Sequence, residues 1–226
     1  MSPPLSCSIA GCGAISAVGS GLDPIRAAVR QNTVGLRPGP HLEGRNYQST
    51  VTGWIPDDLL LPAATPGAAD ARTWHLALAA TIQALRAPAA ELEGVLPARR
   101  GLVLSTTKGD IVALERVQRG EPVTALSRRH LLPALLAEDL ARHFDVQGPV
   151  QCISAACISG LLALQQGARW IERGDADVVL VVGVDVLSHF VLAGFTSLKS
   201  LEPGGCRPFD RNRVGLSLGE CAGAIV

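Results

Sequence analysis

A chain of 226 residues, of which 47% are hydrophobic and 18% are charged, can bury a sizeable core, and this composition excludes a disordered protein. Twenty basic and twenty acidic side chains cancel, so no global field indicates a nucleic acid or a membrane surface as a partner. Six scattered cysteines form no Cys-x-x-Cys pair and the histidines do not cluster, which argues against a zinc site and a disulfide framework. No apolar run approaches the ~20 residues of a membrane span, and no basic residue precedes Arg26 to begin a secretory signal. We therefore expect a reduced, cytoplasmic protein.

Apolar runs typical of strands alternate with helical periodicities along the chain. The predicted strands are an opening strand with its glycine-rich turn at 6–19 and the segments 101–106, 149–154, 176–185 and 219–226. The predicted helices are 23–31, 69–86, 130–144, 157–173 and a segment near 190–200, and an excursion without clear periodicity occupies 32–66. The alternation predicts an α/β layered architecture, and the unbroken apolar run of 176–185 indicates a strand buried on both faces.

The glycines of the opening segment invite comparison with a dinucleotide-binding loop. Gly11 and Gly13 match the first two glycines of that fingerprint, but Ser16 stands where the third belongs, and no acidic residue closes a second strand about 20 positions later. A tight structural turn is the favoured interpretation. Asp23 and Pro24 then supply an N-cap and a first-turn proline for the following helix.

Two cysteines five residues apart differ in their predicted settings. Cys152 lies inside a strand, where a free thiol behaves as a small hydrophobic group with a high pKa. Cys157 falls where that strand leads into a long helix, so that unpaired N–H groups and the helix dipole favour a thiolate. Small neighbours would let a substrate approach the sulfur closely: Ser154, Ala155, Ala156, Ser159 and Gly160. These features alone leave both a nucleophile and a buried structural thiol open.

Several ordered motifs resemble one family, the β-ketoacyl-acyl carrier protein synthases of the thiolase-fold superfamily. The family's active-site segment is similar to GPVQCISAACISG, and the strand that follows it is similar to 174–185. The family's phenylalanine-bearing segment is similar to 193–201, and its Pro-Phe-Asp to Gly-Glu-x-Ala-Gly region is similar to 206–226. Its opening strand is similar to 5–19. The resemblance implies a thiolase-like layered α/β/α fold whose N-terminal half contains a mixed five-stranded sheet.

Departures from the family pattern concern the range of substrates. Ala155 replaces a threonine, Ile158 is bulkier than the usual small residue, and Cys221 replaces a glycine. The TTKGD stretch at 106–110 and the CISG variant look most like synthases of bacterial aryl-polyene or related pigment pathways.

The resemblance implies a decarboxylative Claisen condensation with Cys157 as the nucleophile, whose N–H would be an oxyanion donor. Phe195 would be a gate beside the acyl pocket, with a core aromatic as the alternative. Asp210, Arg213 and Glu220 would form a polar network that supports the site, with solvated loop charges as the alternative.

The implied partners are acyl carrier protein, acyl and malonyl thioesters, and a second subunit. Because the carrier is acidic, basic residues near the pocket mouth would dock it, and Arg72, Arg128 and Arg129 are the candidates, against the alternative of a solvated surface. The family pairs as a homodimer or heterodimer through the strand at 149–154. No cofactor, metal, nucleic acid or membrane span is implied.

The family's two catalytic histidines lie in His-Gly-Thr-Gly-Thr and Gly-His-Thr motifs, and this sequence contains neither. The five histidines all fall outside such contexts, and His75 lies in a predicted helix as a packed or surface imidazole: His41, His75, His130, His143 and His189. We expect residues 1–226 to be the N-terminal half, either an expressed fragment or a truncated gene product, and to be inactive alone in condensation. A non-catalytic partner of the same fold that shapes a neighbour's pocket is the runner-up, and a nucleotide-binding module comes third.

Overall fold

A six-stranded mixed sheet forms the centre of the computed structural model, which describes residues 7–59 and 71–226. The strands are β1 Cys12–Ser16, β2 Gly19–Ser20, β3 Arg100–Ser105, β4 Val150–Ile153, β5 Val178–Asp185 and β6 Cys221–Ile225. The helices are α1 Leu22–Arg30, α2 Arg72–Leu85, α3 Ala89–Glu93, α4 Ile111–Gln118, α5 Ala125–Arg129, α6 Pro133–His143, α7 Ser159–Glu172 and α8 His189–Ser197. The predicted α/β class is confirmed.

The sheet runs in the order β2-β1-β6-β5-β3-β4. β3 pairs in parallel with both β4 and β5, whereas β6 is antiparallel to β5 and to β1. Ser105 is in register with Ile153 and with Gly183, so the carboxyl ends of the three parallel strands meet at one edge. The loops that follow them are therefore neighbours.

The predicted count of five strands is wrong, because the glycine-rich turn contains a strand of its own. Gly19 and Ser20 pair antiparallel with Ser16 and Ile15, and two residues are too short to show any periodicity. Gly13 and Ser16 of the glycine pattern lie in the strand before them and Gly11 directly precedes it, so this segment is not the turn that the sequence indicated. At Gly13 a Cβ would lie 2.1 Å from the Ala80 carbonyl oxygen of α2, so this close approach requires glycine.

Helices cover the two faces of the sheet unequally. On one face α2 and α6 bury Leu104 and Val182 in the main core, while on the other α7 packs Trp170 against Val103. Towards the end of β5 the α7 side is only half-buried at Gly183, so the prediction of complete burial on both faces holds for only part of that strand.

Helix boundaries follow the predictions closely, with local corrections. α1 begins at Leu22 with Gly21 as its N-cap, and Asp23 lies in the first turn, so it is not the cap. Pro133 occupies the first position of α6, where its missing N–H costs nothing. Of the predicted 69–86 helix, residues 69 and 70 lie outside the described residues, as do 60–66 of the excursion and 5–6 of the opening motif.

The described part of the excursion contains two 3₁₀ turns and short bridges, one of which joins Gly53 to Gly219. His75 is buried in α2, in agreement with the packed alternative. The helices α3, α4 and α5 were not predicted. None of the helices within 7–59 and 71–226 is both long and apolar enough to cross a bilayer.

Candidate active site

Three loops meet at the carboxyl edge of the parallel strands, where α/β proteins place their ligand sites. The carboxylate of Asp185, at the end of β5, accepts hydrogen bonds from the Thr107 N–H at 3.0 Å and the Thr107 hydroxyl at 2.8 Å. The Ser154 hydroxyl, which follows β4, donates to the Thr107 carbonyl at 3.4 Å. The loop after β3 thus joins the loop that leads to Cys157.

Cys157 lies at the centre of a 3₁₀ turn, Ala156–Ile158, immediately before α7, and it is exposed. The turn is fixed by Ser159, whose buried hydroxyl donates to the Ala156 carbonyl at 2.7 Å and accepts from the Ala155 N–H at 2.8 Å. Ala156 has a φ of 50°, a left-handed conformation that non-glycine residues adopt rarely and that clusters at functional sites. Within the described segments the Cys157 N–H donates no backbone or side-chain hydrogen bond. The turn therefore presents a thiol and a free donor side by side.

Cys152 occupies the contrasting position that the sequence predicted. It is half-buried in β4 against the main core, and burial raises the pKa of its thiol. The exposed thiol of Cys157 is the more accessible of the two to a reagent or substrate.

Three residues at this edge were not selected as site residues from the sequence. Thr107 and Asp185 form the contacts above, and the Lys108 ammonium lies against the Thr107 hydroxyl and 3.9 Å from the Asp185 carboxylate. The available signal was positional, because polar residues that directly follow buried parallel strands converge at one edge. No three metal-ligating side chains cluster in the segments 7–59 and 71–226.

Phe195 lies in α8 and is half-buried, and its carbonyl accepts the Ser200 N–H at 3.1 Å. A groove of about 450 Å³ opens between α4 and α8, and its lining includes Phe190 and Ala193 but not Phe195. The gate role of Phe195 stays a prediction.

The proposed network of three residues divides into two separate places. Asp210 and Arg213 meet in a loop, where the guanidinium of Arg213 is exposed and donates to the Asp210 carbonyl at 2.9 Å. Glu220 is 3% exposed, and its carboxylate accepts the N–H groups of Ile55 and Leu187 at 2.9 and 3.2 Å. The structure does not bring the three side chains together.

The placement of Arg72 at the surface is also contradicted. Arg72 is 8% exposed, its guanidinium pairs with Glu220 at 2.5 Å and with Asp57 at 2.7 Å, and it lies over the Trp54 ring at 5.2 Å. A buried and fully paired guanidinium cannot meet a docking protein. The sequence missed this because its partner Glu220 lies 148 residues away.

The other two docking candidates differ from each other. The side chain of Arg128 is exposed. Arg129 is bound to Asp139 at 2.9 Å and to Glu138 at 3.0 Å, so its charge is largely neutralised within the protein. Carrier docking therefore stays a prediction for Arg128 and is weakened for Arg129.

Comparisons with known proteins agree with this architecture. The 3-oxoacyl-[acyl-carrier-protein] synthase 2 of Vibrio harveyi is 28% identical over 235 residues, which cover 96% of this chain and 56% of that protein. The tetracenomycin polyketide synthase ketoacyl synthase alpha subunit of Streptomyces glaucescens is 29% identical over 201 residues, covering 80% of this chain and 47% of that protein.

Among solved structures, a ketosynthase in complex with its chain length factor from Xenorhabdus doucetiae has a TM-score of 0.77 and 25% identity, and the match covers 96% of this chain and 56% of that one. The chain thus spans about half the length of the relatives that it matches. The family model described as "Beta-ketoacyl synthase, N-terminal domain" matches residues 11–226. The chain belongs to the β-ketoacyl synthase family.

Proposed function

We propose that this chain supplies the nucleophile to a decarboxylative Claisen condensation between an acyl thioester and malonyl-acyl carrier protein. The observation that carries the proposal is the exposed Cys157 in a turn ahead of α7, beside an N–H that has no partner among the described residues. A thiol suits both steps, because it is a strong nucleophile as a thiolate and a good leaving group when the new carbon–carbon bond forms.

In the first step the Cys157 sulfur attacks the carrier thioester, a new S–C bond forms, and the carrier thiol leaves with the proton. In the second, malonyl-carrier loses CO₂ and its carbanion attacks the acyl-cysteine, so that a C–C bond forms and the cysteine thiolate is released. The Cys157 N–H would stabilise the oxyanion of each tetrahedral intermediate.

The proposed partners are an acyl carrier protein and a second subunit. β4 is the outermost strand of the sheet, and Val150 on it is 38% exposed, so an apolar edge is open to pairing. A two-fold partner strand would remove this edge. The ketosynthase of the solved Xenorhabdus complex has a chain length factor as its partner, which supports a heterodimer as well as a homodimer.

A non-catalytic partner subunit is the second candidate, since relatives of this fold include complexes with a chain length factor. The retention of Cys157 in an accessible turn favours the enzyme, because a subunit that only shapes a neighbour's pocket has no need of a nucleophile.

Thiol mapping tests the nucleophile. The folded protein is treated with sub-stoichiometric iodoacetamide near neutral pH, and the adduct is located by mass spectrometry. We expect Cys157 to carry most of the label, Cys157→Ser to lose it, and the matched variant Cys152→Ser to keep it. Preferential labelling of Cys152 or Cys206 would overturn the assignment.

A second assay tests the division of labour between this chain and the rest of a synthase. Enolate formation needs positioned donors, and the family's histidine motifs are absent from this sequence. Losing one such donor typically costs about 10²–10³ in rate. We therefore infer that residues 1–226, supplied with acyl-carrier and malonyl-carrier, form acyl-enzyme without β-ketoacyl product. Steady turnover that disappears in Cys157→Ala would contradict this inference.

A further inference from the structure

Asp110 is a buried carboxyl group at the start of α4. It is 0% exposed, and its Oδ1 caps the helix by accepting the Ala113 N–H at 3.3 Å. Ser127 of α5 also hydrogen-bonds to this side chain. The second carboxyl oxygen, Oδ2, has no partner in the part of the chain that the structure describes. A buried carboxylate with an unpaired oxygen is costly, so the charged form is disfavoured here.

The backbone ties Asp110 to a second buried titratable residue. The Asp110 N–H donates to the His130 carbonyl at 3.1 Å, and His130 is also 0% exposed. The Nε2 of His130 lies 3.0 Å from the Asp139 carboxylate, its Nδ1 has no partner among the described residues, and the Trp74 ring stacks on it at 5.3 Å. The start of α4 and the end of α5 thus share a buried polar junction.

The groups around Asp110 do not neutralise its charge. α2 contributes Thr73, whose hydroxyl donates to the Gly109 carbonyl at 3.4 Å, and α6 contributes Pro133, which packs near the same glycine. The preceding Lys108 is directed to Asp185. Asp139, which contacts His130, is held by Arg129 and Arg142.

Burial raises the pKa of Asp110 to about 6, whereas burial lowers the pKa of His130 against the opposing effect of Asp139. The two groups therefore act in opposite senses. The buried state of Asp110 is favoured below pH 3.8 and that preference is lost as the pH rises through about 6. The buried state of His130 is favoured above its ordinary pKa of 6.5 and that preference is lost on acidification through its lowered pKa.

We propose that Asp110 forms a proton-dependent clasp that holds the first turn of α4 against α5 through Ser127 and the His130 carbonyl, with the His130 imidazole opposing its pH dependence. When the clasp opens as the pH rises from about 4 through about 6, the Asp110 carboxyl releases its proton to solvent and gains hydration. The difference of about two pH units between the buried and the free carboxyl corresponds to a shift of about a hundredfold in the ratio of closed to open molecules.

The clasp acts on the candidate active site through the loop that joins β3 to α4. Within that loop Thr107 binds Asp185, and the Gly109 N–H donates to the Thr106 hydroxyl at 3.3 Å. α4 itself forms one wall of the groove beside α8. Opening the first turn of α4 would loosen both the β3–α4 loop and the wall of the groove, so pH would control access to this edge of the sheet.

Hydrogen–deuterium exchange of peptides that cover 106–114 tests the clasp between pH 4 and pH 7, with rates corrected for the intrinsic pH dependence of amide exchange. We expect protection of this segment to fall by up to about fiftyfold over this range, while α7 stays protected. Asp110→Asn should abolish this fall in protection, because only the opposing effect of His130 then remains.

Asp23→Asn is the matched control, because Asp23 also lies in a first helical turn but its side chain is 92% exposed. It should behave like the wild type. If Asp110→Asn does not fold, Asp110→Ser keeps a capping oxygen without an ionisable group. A pH-independent wild type, or an Asp110 variant that still loses protection, would overturn the proposal.

Discussion

The junction around Arg72 and Glu220 and the loop from Arg207 to Arg213 contain the same kinds of side chain in opposite settings. In the junction the ion pair is buried, and backbone N–H groups from two other segments complete the carboxylate's hydrogen bonds. In the loop Arg207 lies 3.9 Å from Asp210 and the side chains are open to water. The identity of the charged residues therefore does not predict how much an ion pair stabilises the protein; its burial and its backbone hydrogen bonds must also be known.

Replacement of Glu220 by alanine should have the largest effect. It leaves the Arg72 guanidinium buried without its main partner and removes the acceptor of the Ile55 and Leu187 N–H groups. Breaking a buried pair from one side costs about 3–5 kcal/mol in the free energy of unfolding. Urea denaturation measures it, with Asp210→Ala as the control, and a loss below about 1 kcal/mol would contradict the role of the junction.

A double variant separates the attraction between Arg72 and Glu220 from the free-energy cost of burying their charges. Arg72→Met alone leaves Glu220 charged and buried, whereas the double variant Arg72→Met with Glu220→Met removes both charges. We expect the double variant to be more stable than either single one, by about 2 kcal/mol or more, because apolar replacements of a buried pair are often tolerated. Additive losses in the denaturation series would show that the two side chains act independently.

Asp110 is a buried carboxyl that, unlike Glu220, has no arginine partner in the part of the chain that the structure describes. Because burial raises its pKa to about 6, its stabilising contribution is present below pH 3.8 and is lost as the pH rises through 6. Asp110→Asn should therefore increase the free energy of unfolding at pH 7.5 by about 1–2 kcal/mol, with the gain shrinking towards pH 4. Equal gains at both pH values, measured by urea denaturation, would disprove this origin.

Asp210→Asn should give the smallest effect, within about 0.5 kcal/mol, because its ion pair is long and exposed. Raising NaCl from 0.1 to 1 M shortens the screening length from about 10 to about 3 Å and should abolish that difference, while the penalty of Glu220→Ala persists. A salt-resistant loss at Asp210 would mean that the loop is more strongly structured than its exposure indicates.

Local patterns predicted the elements that depend on local forces. The strand, turn and helix around Cys157, and the proline at the start of α6, follow from neighbouring residues and were located within a few positions. The two-residue strand β2 was missed, because its existence depends on pairing with β1 and not on its own composition.

Local sequence patterns did not predict the long-range contacts in and around the candidate site. Arg72 was assigned to carrier docking by its rough position near the pocket mouth, but the structure buries it in an ion pair with Glu220, 148 residues later. The contacts of Thr107 with Asp185 likewise depend on the pairing of β3 with β5. Long-range pairing of this kind cannot be obtained from one stretch of sequence.

The close packing of α2 against Gly11 and Gly13 limits which substitutions the sequence can accept there. A Cβ at Gly11 or Gly13 would lie 2.0 or 2.1 Å from a carbonyl oxygen of the helix, at Ala84 and Ala80, whereas ordinary contact begins at 3.4 Å. One methyl group would displace a whole helix by more than 1 Å, and a close-packed interior spreads such a shift widely. These two positions should therefore reject every substitution as firmly as a catalytic centre does, although the nearest atoms that a side chain there would meet belong to the protein's own helix α2 and the residues that follow it.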